Sequence, residues 1–546
     1  MHFDQQKWVL PIKIVALALL VLLAPWGWLD LIWRRIVQLQ FDGRGTQLVR
    51  YVVIIAAMFA GMAIVSILKD SRVRIAITIM FAAGFIADQI VLTLTNQHSS
   101  IELVQVLWSE RASAADATQN YLLPILKILC WTIPLFCALA MAPPANVALG
   151  IRYALIPLVG FIAAPINIRI TTSRIDEYPS TYSVAAQLVY VLLTKQPFAG
   201  PRQDVAYADV PERKFEKIVF IVDESIRSDY LQINNNRFNN TPYLAKEAGR
   251  YVNFGNAVSG ANASTSARLI LRSGLRIDQL PDVAQLGMHR ATVWQFAKKA
   301  GMRTVYIDAW RPEGEMHSFM NAHEFQFIDR HIPTRDGAKS LIDARVADRI
   351  KEELATPGPE FIFVEKLGSH FPYSQTVPPE SSFEPSGVDA LPAASNPAHK
   401  VVLQQYMRST RRSVDDFFAV LLPLLINPET LVIYTSDHGQ SLFEGGYEAT
   451  HGSIVDVHPG ESRVPLLVFT GNASFAEKLE QSAQASKDRA SHFDIFPTLL
   501  LAMGFNSEWI LATYGNTLLS LPVGRQRRYL IGNVFGGSRS KMLNAD

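Results

Sequence analysis

Four short stretches of the chain carry the residue types that bind metal ions and handle phosphate. The apolar run KIVFIV at 217–222 passes directly into Asp223, Glu224 and Ser225, and the run LVIYT at 431–435 passes into Ser436, Asp437, His438 and Gly439. His370 sits in LGSHFPY, a few residues beyond the apolar run 361–364, and His451 sits in EATHGS, after a glycine-bearing loop that follows SDHGQ. A carboxylate from one strand end and an adjacent Asp–His pair from another suit a zinc-like ion, which takes nitrogen and oxygen ligands in tetrahedral geometry. The plainer alternative is that strand ends carry solvated polar residues. It fits Glu224 alone as well as a metal does, but it fits SDHG after an apolar strand poorly. A single loop histidine is more often a surface residue than a ligand; four such clusters, each just past a strand, are harder to dismiss.

Metal-assisted chemistry of this kind also wants a hydroxyl nucleophile. The stretch 259–274 reads SGANASTSARLILRSG, with small residues leading into a helical segment. Ser264 or Thr265 would then sit near a helix N-terminus, where backbone N–H groups and the helix dipole favour a bound phosphate. The competing explanation is a plain helix cap, for which Ser and Thr are usual residues.

The elements that must position these residues are strands alternating with helices. Short apolar runs recur at 304–307, 361–364, 431–435 and 466–469, with helix-like stretches at 291–300, 340–354 and 401–425 between them. That alternation predicts a mostly parallel sheet covered on both faces, with ligands collecting beyond the carboxyl ends of the strands. Before about residue 170 the text differs. Apolar runs at 8–29, 49–68, 73–94, 121–142 and 150–168 are each long enough, at about 20 residues, to cross roughly 30 Å of hydrocarbon. The first lacks a small-residue cleavage site and is expected to stay as an anchor. The expected layout is therefore a five-helix transmembrane domain at 1–172, an interfacial helix and linker at 173–213, and a catalytic domain at 214–546. Residues 97–119 form a polar loop between spans; 184–193 (VAAQLVYVLL) is too short to cross and reads as the interfacial helix. Pro197, Gly200, Pro201 and Pro211 mark the linker.

Charge and cysteine usage narrow the class further. A net charge of +2 gives no basic stripe for nucleic acid. Lys69, Arg72 and Arg74 favour a cytoplasmic second loop and an outward C-terminal domain, while Arg34, Arg35, Arg44 and Arg50 argue the opposite. The two cysteines, Cys130 and Cys137, share one apolar run seven residues apart, too far for a disulfide within a helix. The spans hold few ionisable groups, chiefly Lys13, Asp88 and Lys127, which weighs against a transporter.

Together, the acidic strand end, the hydroxyl before a helix, the GSH loop, SDHG and the later HG resemble the alkaline phosphatase and sulfatase superfamily, over about 217–498. SDHG is the most specific of these motifs, and SHFDIFPTLL at 491–500 resembles the late helix that packs beneath the site in that superfamily. The preceding spans narrow the resemblance to its membrane-bound phosphoethanolamine transferase-like branch. The resemblance implies zinc, one ion or two, with Glu224, Asp437, His438 and the nucleophile as ligands. It implies Ser264 as nucleophile, about ten residues before Gly274, with Thr265 as rival; His370 and His451 would hold the phosphate or a second metal. It further implies a phospholipid donor, a lipopolysaccharide or glycan acceptor, a covalent phospho-enzyme, and a multi-pass protein of the bacterial inner membrane with its catalytic domain in the periplasm.

The chain departs from that branch in two places. The C-terminal domain has no cysteine, whereas the lipid A-modifying members usually carry disulfides there. Where those members often have Ser-Val-Pro-Cys, this chain has Ala267, Arg268, Leu269 and Ile270. Core sugars, glycans and periplasmic polysaccharide therefore stand beside lipid A as acceptors, and the donor headgroup, ethanolamine or glycerol, is open. Ser264 with Arg268 four residues on is similar to the sulfatase signature, but that motif wants Pro and Ser where Ser266 and Ala267 stand. A sulfatase, a phosphodiesterase or phosphatase, and a non-catalytic membrane scaffold are the alternatives.

Overall fold

The computed structural model describes residues 6–22, 27–95, 98–101, 104, 122–162, 178–193, 197–378, 381–446, 450–454, 456–537 and 540–546. They form two compact units, Met1–Gln196 and Pro197–Asp546.

The first unit is helical: α1 (Gln6–Leu22), α2 (Gly27–Phe41), α3 (Gly45–Ser66), α4 (Ser71–Thr95), α5 (Leu122–Ala140) and α6 (Ser180–Leu193). Three described segments are long and apolar enough to cross a membrane, Gly45–Ser66, Ser71–Thr93 and Leu122–Ala140; Ile151–Ile162 is a shorter apolar helix. The described parts of the first and fifth apolar runs thus fall short of full spans, and most of the polar loop expected at 97–119 lies outside the described residues. Small residues let α6 pack tightly within this unit. A Cβ on Gly61 would lie 2.4 Å from the Tyr182 hydroxyl, and one on Gly84 2.7 Å from the Ser180 carbonyl. Two buried charged groups here are bonded within the unit: Asp88 accepts from the Ser99 amide at 2.8 Å, and Lys13 donates to the Leu139 carbonyl at 2.6 Å. Cys130 and Cys137 are both free.

The second unit is built on a seven-stranded sheet. Its strands are β1 (Lys217–Asp223), β2 (Val252–Val258), β3 (Arg303–Asp308), β4 (Arg330–Pro333), β5 (Glu360–Glu365), β6 (Thr430–Ser436) and β7 (Arg463–Thr470), in the order β2-β7-β6-β1-β5-β3-β4. β6, β1, β5, β3 and β4 run parallel, and β7 pairs antiparallel with both β2 and β6. A separate two-stranded ribbon joins β8 (Arg528–Ile531) to β9 (Lys541–Asn544). Every residue of β1 is buried, which explains its unbroken apolar text. Ile218, Phe220 and Val222 enter one core with Trp294, Phe363, Ile433 and Phe496, while Val219 and Ile221 enter the other with Ile307, Val364, Val432 and Phe418. Each such side chain contributes about 1.5–3 kcal/mol on burial, so the register of the central strands is firmly set.

The sequence-expected strands and helices are present, with two differences. The single helix expected over 401–425 is a helix at Pro397–Thr410, a π-helical turn at Arg411–Asp416 and a helix at Phe417–Leu425. The widened turn carries Ser413, whose hydroxyl donates to Asp223, and Asp415, which accepts from the Tyr243 and Leu244 amides. The segment that composition marks as a linker is docked in the second unit: Arg202 donates to the Gly287 carbonyl at 2.7 Å and forms a buried ion pair with Glu324. Tyr207 packs on Phe505 and Trp509.

Candidate active site

Two-residue periodicity extends past the strand ends. Val222 and Ile433 face the same core, so Glu224 and Asp437 leave β1 and β6 on that side of the sheet. Asp223 turns to the other side, where the fully buried Lys366 donates to it at 2.6 Å and Tyr434 at 2.8 Å. Ser225 holds a left-handed φ of 59°, and its amide lies 3.2 Å from Asp437 Oδ1. The glycines of the two loop motifs answer to crowding. A Cβ on Gly439 would lie 2.1 Å from the Gly460 carbonyl oxygen, and one on Gly368 2.7 Å from the Glu224 nitrogen, with φ already at +58°.

Ser264 opens α7 (Ser264–Ser273) as its first helical residue; the cap position belongs to Ala263, whose side chain makes no cap bond. Ser264 is therefore not there as a cap. Its Oγ lies 3.0 Å from His438 Nε2 and 3.5 Å from Glu224 Oε2. His438 Nε2 lies 3.4 Å from Glu224 Oε1 and 3.7 Å from Asp437 Oδ2. These separations of 3.0–3.7 Å bracket the edge of about 3.3 Å expected between ligands of one tetrahedral zinc with bonds of 2.0–2.1 Å. His438 Nδ1–H donates to its neighbour's carbonyl, Gly439 O, at 2.7 Å, so Nε2 is the nitrogen presented to the cluster. Asp437 Oδ2 is buried with no hydrogen-bond partner. The donor set and the orphaned oxygen both fit a divalent cation.

His451 stacks on His438 at 4.0 Å between ring centres, and one of its nitrogens lies within 4.8 Å of the ligand atoms of Glu224 and His438. Its Nδ1–H donates to Gln440 Oε1 at 3.1 Å, leaving Nε2 as the basic nitrogen. His370 packs edge-on against Trp310 at 5.0 Å, within electrostatic reach of Glu224 and His438. Thr265, the next residue of α7, is buried. Glu224, Ser264, Asp437, His438 and His451 thus meet at one place.

One residue that the sequence offers only as part of a sulfatase-like signature also enters the site. Arg268, one helical turn after Ser264, is only 4% exposed; it donates to Glu224 Oε2 at 2.8 Å and lies 3.4 Å from Asp437 Oδ2. Its guanidinium stands over the Trp310 ring at 5.2 Å. The available signal was its i, i+4 spacing from Ser264, which puts both on one helix face.

The electrostatics reflect crowded charge. Burial would raise the Glu224 carboxyl, but the hydrogen bond and charge of His438, with Arg268, hold it well below the usual carboxylate range. Burial and the neighbouring Glu224 push Asp437 up to about 7. Burial lowers His438, yet Asp437 and Glu224 outweigh it and raise the imidazole to about 9. Positive charge is thus drawn to the point where the four donor atoms converge. Burial lowers His370, and lowers His451 far below its ordinary value, with the adjacent His438 adding to the effect.

The sulfatase family model matches residues 216–505. The chain belongs to the sulfatase family. Within that family it is similar to phosphoethanolamine transferases. It is 25% identical over 305 residues to a Kdo(2)-lipid A phosphoethanolamine 7''-transferase of Escherichia coli, covering 53% of this chain and 52% of the relative. It is 26% identical over 323 residues to the protein of the same name from Salmonella typhimurium, covering 56% and 55%. The chain spans about half the length of these curated relatives in the matched regions. Its fold is shared with the integral membrane protein lipooligosaccharide phosphoethanolamine transferase A from Neisseria meningitidis, at a TM-score of 0.61 and 17% identity, over 90% of this chain and 95% of that one. The C-terminal periplasmic domain of EcEptC from Escherichia coli, in complex with Zn, is similar at a TM-score of 0.52 and 16% identity, over 64% and 97%.

Proposed function

We propose that this sulfatase-family enzyme transfers phosphoethanolamine, or a closely related phospho-alcohol, from a membrane phospholipid to a lipopolysaccharide or glycan acceptor through a covalent phosphoserine at Ser264. The observation that carries the proposal is the convergence of Ser264 Oγ, Glu224, Asp437 and His438 at separations suited to one zinc ion. What a divalent cation held by Glu224, Asp437 and His438 supplies is Lewis acidity toward the serine hydroxyl and the phosphoryl oxygens. The relatives' names, Kdo(2)-lipid A phosphoethanolamine 7''-transferase, and the zinc-bound neighbour support this choice of group and metal.

The protein's own residues divide the work. Ser264 Oγ attacks the headgroup phosphorus, forming the Oγ–P bond as the ester bond to diacylglycerol breaks. His451 and His370, kept neutral by burial, are the groups to carry the proton: one takes it from the Ser264 hydroxyl and gives it to the departing diacylglycerol oxygen, and in the second half takes one from the acceptor hydroxyl. Arg268 holds Glu224 in place and adds fixed positive charge beside the phosphoryl group. The second half breaks the Oγ–P bond and returns the proton to Ser264.

The five apolar runs are proposed as five spans of the bacterial inner membrane, with the catalytic unit in the periplasm, where lipid donor and glycolipid acceptor meet. Mass spectrometry of lipid A, core sugars and envelope glycans from cells with and without the protein tests the function. A mass gain of phosphoethanolamine on one acceptor is expected; sulfate loss from a glycan, or release of free phosphoethanolamine with no acceptor modified, would overturn it.

A further inference from the structure

A second group of buried acid and imidazole side chains lies at the same edge of the sheet, across Arg268 from the site above. Asp308 ends β3 and Glu365 ends β5, and the two are register partners in the parallel ladder. His317 comes from the loop after β3, and all three are buried. We infer that Asp308, His317 and Glu365 form a second divalent-cation site, of the zinc class, distinct from the Glu224, Asp437 and His438 centre.

One ligand atom from each of the three lies within 4.8 Å of the others. His317 Nε2 is 2.8 Å from Glu365 Oε2 and 3.9 Å from Asp308 Oδ2. Each of the three side chains is held by further partners. Asp308 Oδ1 accepts from the Trp310 amide at 2.6 Å and lies 3.3 Å from the Arg311 amide, which turns Oδ2 inward. His317 Nδ1 lies 3.0 Å from the Ser318 hydroxyl, so Nε2 is the nitrogen offered to the cluster. The Tyr306 hydroxyl donates to Glu365 Oε2 at 2.5 Å and lies 3.0 Å from His317 Nε2, so it borders the cluster on its inner side.

The second observation is an orphan. Asp308 Oδ2 is fully buried and has no hydrogen-bond partner. Its nearest facing nitrogen besides His317 is His331 Nε2 at 3.4 Å. The Gly314 amide donates to His331 Nδ1 at 3.1 Å, so His331 carries its proton on Nε2; it supports Asp308 electrostatically and is no ligand. A desolvated carboxylate oxygen whose only facing N–H stands as far as 3.4 Å is poorly satisfied, and a cation between it, His317 and Glu365 removes that cost. Carboxylate oxygens and an imidazole nitrogen are both zinc ligands, and three protein ligands leave a fourth tetrahedral position open. Arg268 separates the two centres: its Nη2 serves Glu224, and its Nε faces Glu365 Oε1 at 3.6 Å.

Zinc content of the detergent-purified full chain tests the site, by elemental mass spectrometry after dialysis against buffered zinc. Two backgrounds are compared, the wild type and a His370→Gln/His438→Gln/His451→Gln variant that lacks the imidazoles of the first centre. Asp308→Asn or His317→Gln is expected to remove one zinc equivalent from both, and to lower affinity for that equivalent at least about tenfold. Zinc content unchanged by either substitution in both backgrounds overturns the site. If those variants fail to fold, anomalous scattering at the zinc edge from wild-type crystals decides. A peak enclosed by Asp308, His317 and Glu365 supports the site, and zinc at the first centre with no peak there sinks it.

Discussion

At the scale of single residues, the choice between the two adjacent hydroxyls becomes geometric. Ser264 Oγ sits 3.0 Å from His438 Nε2, whereas Thr265 is buried one position along the helix. A neighbouring residue on a helix points about 100° away, so both hydroxyls cannot serve one phosphorus. Ser264→Ala is expected to cut transfer by roughly a thousandfold or more, and Thr265→Ala by far less, when acceptor modification is followed by mass spectrometry. The reverse pattern would move the nucleophile to Thr265. A second residue-scale effect concerns pH. Glu461 accepts from Asn262 at 2.8 Å and from the Ser453 amide at 3.0 Å, yet burial outweighs these bonds and raises its carboxyl from 4.5 to about 7. The folded state then binds the proton more tightly than the unfolded chain. Glu461 thus favours folding fully below about pH 4.5, and that contribution is lost as pH rises through about 7. Glu461→Gln keeps an acceptor without the charge. In metal-stripped protein it should melt higher than wild type above pH 7, by up to about 3 kcal/mol of stability, with no advantage below pH 4.5. Melts at the two pH extremes that shift equally would refute this.

At the scale of elements, the site depends on how closely the strand-end loops pack. The residue after His438 must be glycine because a Cβ there would lie 2.1 Å from the Gly460 oxygen and 2.5 Å from the Arg463 oxygen, both backbone atoms. Gly439→Ala should therefore cost about 1–3 kcal/mol and push Asp437 and His438 off their positions, so that zinc affinity falls together with the melting temperature. A variant that melts lower but keeps its zinc would mean the loop yields without moving the ligands. The same packing explains what could be read from sequence. The central strands β1, β5 and β6 are buried on both faces and so appear as continuous apolar text, which fixed their places and the acidic groups at their ends. β2 was not legible, because Asn253, Gly255 and Asn256 interrupt VNFGNAV where the pairing register shifts. β4 is four residues long and ends in proline, too short for a pattern. Glu224, Asp437, His438 and Ser264 were legible as polar residues placed directly after apolar runs or before a helix. Arg268 was legible only as a signature-like neighbour of Ser264, since an arginine on an amphipathic helix ordinarily faces water, and only the fold brings Glu224, Asp437 and Glu365 around it. Asp308 and Glu365 also end apolar strands, but their common neighbour His317 comes from a loop whose path no local pattern specifies.

At the scale of the whole molecule, two units with separate cores face different solvents. In the first, Met58, Met62 and Phe85 are buried while Val49, Val53, Ile79 and Leu123 stand more than 60% exposed on the outward faces of their helices. Water would penalise such surfaces and hydrocarbon does not, so this unit is suited to lipid. The candidate site residues and the sheet that carries them lie wholly in the second unit, whose cores draw on residues 198–545. The chemistry and the delivery of its substrates should therefore separate. A chain cut to 197–546 is expected to fold, bind zinc and release product from a small water-soluble phosphoethanolamine diester at a rate close to that of the full protein. It should lose transfer between a phospholipid and an acceptor embedded in vesicles by at least about a hundredfold. Tethering to the bilayer replaces encounters from bulk solution with encounters at millimolar effective concentration, which is worth that factor or more without any new contact. Rates on both substrates, measured for both chains at equal zinc occupancy, check the separation. If the cut chain transfers between vesicle-bound partners as fast as the whole, the helices do not deliver substrate, and their role reduces to anchoring.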